Sequence, residues 1–291
     1  MATCGAVSQR IHGRTRWPQR VNARLEQTLA VRLVRVRPPE RVPIRPPADS
    51  EVDRLVREPV LVCSSVRSGS TLLRVILNSH SQIHAPHETH VRRLQVVPTT
   101  SPVRQAMTAL DLNVRDLEHL LWDRVLHREL ARSGKQVIVE KTPSNVFVMN
   151  RLMTAWPDAR VIYLIRHPYS IARSWHEGDP ERRPMSHAVP YTLNFMEHVE
   201  RARQKFGGLT VRYEDLTDDP RGQTRRICDF LGVPWEEGMV EYGSHDHGQF
   251  VAGIGDWTDK IRSGTVQRGR PLPSPDEVPE QLREMCRVWG Y

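Results

Sequence analysis

The sequence predicts an α/β fold, a three-layer sandwich with a central parallel sheet flanked by helices. Three observations carry that expectation. Short β-branched runs recur along the chain, apolar throughout and too brief for helices, as strands buried on both faces are. Helix-period segments separate them and supply the crossover length that parallel neighbours need. Polar or charged residues stand at or just past the ends of the runs, where open parallel sheets hold their ligands.

The elements follow in order. Residues 60–66 form the first strand, and residues 70–79 the first helix, with Leu72, Leu73, Ile76 and Leu77 on one face. Residues 84–105 contain Pro86, Pro98 and Pro102 and are expected to be irregular. Residues 113–132 read as a helix capped by Asp116, residues 136–140 as a second strand and residues 145–155 as a short helix. Residues 160–165 are a third strand, followed by Arg166-His167-Pro168 and a helix through Trp175. The charged, Pro-rich stretch 177–187 is expected to be a mobile loop. A long helix over 191–206, a fourth strand over 209–213 and a helix over 220–231 that stops at Gly232 complete the pattern.

Composition narrows the function classes. No apolar run approaches the roughly 20 residues that span a bilayer. Cys4, Cys63, Cys228 and Cys286 are far apart and lack C-x-x-C spacing, which argues against a zinc site or disulfide framework and fits a reducing, cytoplasmic compartment. The formal charge is +8, but residues 1–50 hold ten arginines against three acids, leaving +1 for the other 241 residues. Nucleic-acid binding by the folded body is therefore not expected. The expected division is a basic, Arg/Pro-rich and disordered tail over 1–50 and a single domain over 51–291. The tail reads as a solvated leader or a mistaken upstream start, as a basic interaction arm or as a transit-like segment; it has no secretory apolar core. Only four lysines stand against 38 arginines, which suggests a GC-rich, bacterial genome.

The chemistry begins at Val66-Arg67-Ser68-Gly69-Ser70-Thr71-Leu72-Leu73-Arg74. A strand, a tight turn and a helix start are the parts of a P-loop-like anion cradle. Ser68, Gly69, Ser70 and Thr71 can offer backbone N–H groups and hydroxyls at a helix N-terminus, and Arg67 adds fixed positive charge. The Gly-Lys-Ser/Thr ending of a nucleoside-triphosphate loop is missing.

This segment resembles the start of the sulfotransferases that use 3′-phosphoadenylyl sulfate (PAPS), and in particular the tyrosylprotein sulfotransferases and their bacterial relatives. The family's loop reads roughly P-[KR]-S-G-[ST]-[ST]-L-[LM]-R, and only its leading proline differs here. The resemblance covers roughly residues 59–235. It implies that the loop holds the 5′-phosphosulfate and that Arg67 reaches the transferring group. Residues 163–175 (YLIRHPYSIARSW) match a second signature, which assigns Arg166 and Ser174 to the 3′-phosphate. Tyr213-Glu214-Asp215-Leu216 matches the family's Y-E-D-L element, whose tyrosine lies near the nucleotide; Glu214 and Asp215 are expected to be structural.

Lys141, in Glu140-Lys141-Thr142-Pro143, fits the family's K-[DT]-P element and would stabilise the bridging oxygen. Glu88 stands where the tyrosylprotein enzymes carry their base. His87 and His90 depart from that pattern and remain rival bases, since histidine titrates near neutral pH unaided. Gly255-Asp256-Trp257 resembles a cytosolic-enzyme element without its Arg-Lys-Gly. Lys260, Arg262, Arg268 and Arg270 are candidates to close over the cofactor. No metal is expected, and His245-Asp246-His247 reads as a polar loop.

The expected function is sulfuryl transfer from PAPS to a hydroxyl on a small molecule, carbohydrate or lipid by in-line displacement. Two alternatives stay open: a P-loop nucleotide kinase, and a non-catalytic nucleotide-binding module with a basic arm.

Overall fold

The computed structural model describes residues 42–247, 261 and 263–291. The expectations for residues 1–41, for Gly255-Asp256-Trp257, and for Lys260 and Arg262 therefore lie outside the described residues. Contacts group Pro43–Tyr291 as one compact unit.

In chain order the unit runs α1 (Ser50–Asp53), β1 (Val60–Ser64), α2 (Ser70–Asn78), β2 (Ile83–His84), α3 (Ser101–Ala109), α4 (Val114–Ser133), β3 (Val137–Glu140), α5 (Met149–Ala155), β4 (Arg160–Ile165), α6 (Pro168–Glu177), α7 (Met185–Phe206), β5 (Leu209–Arg212), α8 (Tyr213–Asp218), α9 (Pro220–Leu231) and α10 (Glu280–Val288). Short 3₁₀ turns fill several connections, among them Val91–Arg93 and Pro143–Val148. The five strands form a parallel sheet in the order β2-β3-β1-β4-β5.

The period-2 geometry of a strand explains the three layers. Alternate β1 residues enter different cores: Leu61 and Cys63 pack with Trp122, Tyr163 and Met196 on one face, while Val60 and Val62 pack with Leu73, Ile76 and Ile227 on the other. Both faces are thus covered, which is why the strands read as unbroken apolar runs. Cys63, Cys228 and Cys286 are free and buried in these cores, and burial pushes each thiol upward.

Four local details differ from the sequence reading. Residues 84–105 carry the end of β2, a 3₁₀ turn and the start of α3, so the prolines bound short elements rather than abolish structure. The cap of α4 is Asn113, whose Oδ1 accepts from the Arg115 and Asp116 backbone N–H groups at 2.7 and 3.2 Å; Asp116 returns the bond to Asn113 N at 2.9 Å, completing a capping box. α7 begins at Met185, inside the stretch expected to be a loop, and keeps Pro190 near its start, where the missing N–H costs one bond. α5 is shorter than expected because Pro143–Val148 wind as the 3₁₀ turn and leave the α-helix to start at Met149.

Lys135 closes one end of the sheet. Its Nζ donates to the carbonyls of Asn78, His80 and Ile83 at 2.8, 2.9 and 2.9 Å, gathering the end of α2 and the start of β2.

Candidate functional site

All five strands deliver polar residues to one rim. Arg67 follows β1, Glu88 follows β2, Lys141 follows β3, Arg166 follows β4 and Tyr213 follows β5. Register makes the neighbours specific. Ile165 pairs with Arg212, so Arg166 and Tyr213 leave the sheet abreast, and the guanidinium carbon of Arg166 stands 4.4 Å over the Tyr213 ring.

The loop after β1 turns through two left-handed residues, Arg67 at φ 61° and Gly69 at φ 91°. At Gly69 a side chain is excluded twice over. The φ favours glycine, and a Cβ would lie 2.3 Å from Tyr213 Cδ2. Arg67 Nε donates to Ser174 Oγ at 3.1 Å, and Arg166 Nη1 donates to the Arg67 carbonyl at 2.9 Å. These contacts tie the loop to α6 and to the end of β4. The result is a cavity of about 360 Å³ bordered by Arg67, Gly69, Ser70, Thr71, Arg166, Ser174 and Tyr213. Ser68 is different: it is fully buried and its hydroxyl donates to the Ser65 carbonyl, so it shapes the loop from within.

Glu177, Tyr242, Gln267 and Arg270 also border this cavity, and only Arg270 among them has a sequence signal. Arg270 pairs with Glu177 through bonds of 2.6 and 2.8 Å. Arg268 pairs with Asp218 at 3.1 Å on the surface and does not border the cavity. The Arg166 guanidinium is held below the usual arginine range by burial, with Tyr213 and Glu214 acting the other way, and its Nε has no hydrogen-bond partner among the described residues. A buried cation with an open donor beside a cavity is suited to an anion. Glu214 is structural: it accepts from His167 N at 3.1 Å and from the Tyr291 hydroxyl.

A second group occupies the β2–β3 side of the rim. Lys141 Nζ donates to Glu88 Oε1 at 2.7 Å, and His90 Nε2 lies 3.4 Å from Glu88 Oε2. The Lys141 side chain is almost wholly buried, and burial pushes its ammonium down while the Glu88 pair pulls it back up. Arg74, which the loop motif contains but which reads as an ordinary helix residue, is buried behind this pair. It donates to the Ala85 carbonyl at 3.2 Å, and burial pushes it down to about 10 against the opposing field of Glu88. Glu88, Lys141 and Arg74 do not border the 360 Å³ cavity, so the rim has two halves.

The second half is organised as a ladder between residues 88–92 and 140–144. Its rungs are Glu88–Lys141, Thr89 Oγ1 to Glu140 Oε1 at 3.0 Å, His90 N to Thr142 Oγ1 at 3.3 Å, and Arg92 Nε to Ser144 Oγ at 3.1 Å. Glu140 is fully buried and also accepts from Asn145 Nδ2 at 2.9 Å. Burial pushes its carboxyl above the usual range despite those bonds, which favours the neutral acid. Glutamine should therefore substitute well: Glu140→Gln is expected to hold the ladder, whereas Glu140→Ala should lose about 1–3 kcal/mol for each buried group left unpaired. The sign with pH is defined. A carboxyl raised in the folded state lends stability below its unfolded pKa and loses it as pH rises, so urea unfolding should show Glu140→Gln gaining on the wild type above about pH 4.5.

His245-Asp246-His247 forms no cluster, and among the described residues no group of three or more His, Cys, Asp or Glu side chains is arranged to hold a metal ion. His247 Nε2 instead lies 2.7 Å from the Tyr242 carbonyl. Among the described residues no helix is long and apolar enough to cross a membrane.

Residues 59–237 match the model of the family described as "Sulfotransferase family". An uncharacterized protein of Aquifex aeolicus is 25% identical over 207 residues, which is 64% of this chain and 27% of that protein. Nodulation protein NoeE of Sinorhizobium fredii is 31% identical over 119 residues, 37% of this chain and 28% of that protein. The chain thus matches little more than a quarter of the length of these two curated relatives. Among solved structures, the sulfotransferase domain from the curacin biosynthetic pathway has the same fold, with a TM-score of 0.59 at 20% identity over 81% of this chain and 98% of that one.

Proposed function

This chain belongs to the sulfotransferase family, and from that premise we propose that it transfers a sulfuryl group from PAPS to a hydroxyl acceptor. The observation that carries the reading is the cavity beside Gly69, where Arg67, Arg166 and Ser174 are linked by hydrogen bonds and Arg166 keeps an open donor. Its volume and cationic wall suit a nucleotide that carries more than one phosphate group.

In this reading Ser70, Thr71 and the backbone N–H groups of Ser68–Thr71 cradle the 5′-phosphosulfate at the start of α2. Arg166 and Ser174 hold the 3′-phosphate, Tyr213 packs beside the nucleotide, and Arg270 closes the wall by exchanging Glu177 for the ligand. Lys141 and Arg67 face the charge that spreads over the transferring group and the leaving phosphate. Glu88 takes the proton of the acceptor hydroxyl as the oxygen–sulfur bond forms and the bond to the leaving phosphate oxygen breaks. Catalysis of this kind is positioning and electrostatics, by analogy with phosphoryl transfer. Among the candidate bases, Glu88 is favoured by its position beside Lys141, while His90 lies on the outer side of that carboxylate. The motif likeness to tyrosylprotein enzymes bears on the base alone and does not make the acceptor a protein tyrosine.

Calorimetric titration with 3′-phosphoadenosine 5′-phosphate (PAP), the expected product, tests the site. The wild type should bind it, and Arg166→Ala should weaken binding by about 10–100-fold, the scale of a lost charge-assisted contact. A folded wild type that ignores PAP and binds ATP with Mg²⁺ would return the reading to a nucleotide kinase.

A further inference from the structure

The segment that follows Glu88 has a face that is not buried against any other described element. α3 is a nine-residue helix without a single buried residue, although Val103, Ala106, Met107 and Leu110 recur at i, i+3, i+4 and i+7. An amphipathic stripe of that spacing ordinarily turns to a core. Here Val103 is 42% exposed, Leu110 65% and, just upstream, Val97 74%. The segment is held mainly at its edges. The Leu94 carbonyl accepts from Trp122 Nε1 at 3.1 Å, and beyond α3 Asp111 pairs with Arg45 at 3.2 Å. Between Thr89 and Leu110 there is no acidic residue, while Arg92, Arg93 and Arg104 are present.

Charge selects the occupant. A second copy presenting the same face would bring like charge to like, since Arg92, Arg93 and Arg104 are the charged residues between Thr89 and Leu110 apart from histidine. The partner has to be anionic. Shape selects further. A protruding helix with scattered aliphatic side chains offers no recess for the anchor residues of a protein partner. It does suit a fluid surface that moulds around it. Basic side chains flanking a short apolar stripe combine the two signals, charge and apolar contact, that peripheral attachment to an anionic bilayer uses.

We propose that residues 93–110 are a membrane-binding face that seats α3 among the headgroups of an anionic bilayer, and that the hydroxyl acceptor is an amphiphile presented from that bilayer. The first half stands on the exposed face; the second rests on the transfer reading above. The face is continuous in sequence with Glu88, and the Arg92–Ser144 rung fixes its start against the segment that bears Lys141. An amphiphile whose chain stays in the bilayer would meet the rim head-first, through its hydroxyl.

The test is flotation of the full chain with vesicles of 30% phosphatidylglycerol in phosphatidylcholine, against phosphatidylcholine alone. Wild type should partition at least tenfold better into the anionic vesicles, since each arginine near the surface contributes on the order of fivefold. Val103→Asp with Leu110→Asp should lose that gain, as should Arg93→Glu with Arg104→Glu. Val52→Asp, at an exposed apolar residue on α1, should change nothing. Transfer to a long-chain alcohol embedded in the vesicles should outpace transfer to a short, soluble alcohol, and the paired aspartate variant should erase the difference.

The inference is overturned by equal partition into both vesicle types, by aspartate variants that float like wild type, or by capture of an acidic protein in place of vesicles. PAP titration of the same preparations separates the two readings. Normal PAP binding with no flotation removes only the membrane face, and flotation without PAP binding removes only the transferase.

Discussion

Lys141→Ala is expected to slow turnover on the order of 10²–10³-fold while leaving PAP affinity within about threefold. The asymmetry follows from position: Lys141 is outside the cavity formed by Arg67, Arg166 and Ser174, so it adds little to nucleotide binding in the ground state. Its charge matters when negative charge spreads towards the leaving oxygen, in a buried place where water cannot substitute. Alanine also leaves Glu88 without its 2.7 Å partner, and breaking a buried pair on one side costs about 3–5 kcal/mol. Glu88→Gln should be slow as well, by about 10²–10⁴-fold, through loss of the base. Because the two residues act as a unit, the double variant should be about as slow as the worse single one. PAP release with any accepted hydroxyl compound measures all three. Additive losses, or a Lys141→Ala enzyme at the wild-type rate, would remove the pair from the mechanism.

Gly69→Ala should be nearly as damaging, by a different route. A non-glycine residue at φ 91° stores about 1–3 kcal/mol of strain. The added methyl also meets Tyr213 Cδ2 at 2.3 Å, so either the loop or the tyrosine must move. Each move opens the stack of Arg166 on Tyr213 and the bond from Arg166 to the Arg67 carbonyl. The expected result is a loss of PAP affinity of about 100-fold with a lower melting temperature. A second substitution separates the causes. Tyr213→Ala in the Gly69→Ala background removes the clash and leaves the strain, so it should recover part of the stability and little of the affinity. Unchanged PAP binding by Gly69→Ala would mean that this loop is not the phosphate cradle.

Much of this rim is legible in the sequence because parallel strands announce themselves twice, by an apolar run and by the polar residue that ends it. That logic alone locates Arg67, Lys141, Arg166 and Tyr213, and Pro220, which opens α9, and Gly232, which follows it, bound that helix to the residue. What stays hidden has physical reasons. β2 is two residues long, below any periodicity. Glu140 and Thr89 are 51 positions apart and meet only through the β2–β3 pairing. Arg74 sits in an apolar helix where one charged residue looks like a solvated face, and its burial depends on the chain that returns over it at Ala85. Glu177 and Arg270 are 93 positions apart, in segments that read as surface loop.

The three carbonyls gathered by Lys135 carry an evolutionary implication. In a chain of 38 arginines and four lysines, a lysine where arginine would not fit has a geometric reason. A tetrahedral ammonium can point three donors at three converging carbonyls, whereas a planar guanidinium fans its donors in one plane. Lys141, sealed against Glu88, is held by a similar constraint of space. Two of the four lysines are thus accounted for by geometry. In related arginine-rich chains, a lysine should serve as a marker of sites where a compact charge cannot be exchanged for a broad one.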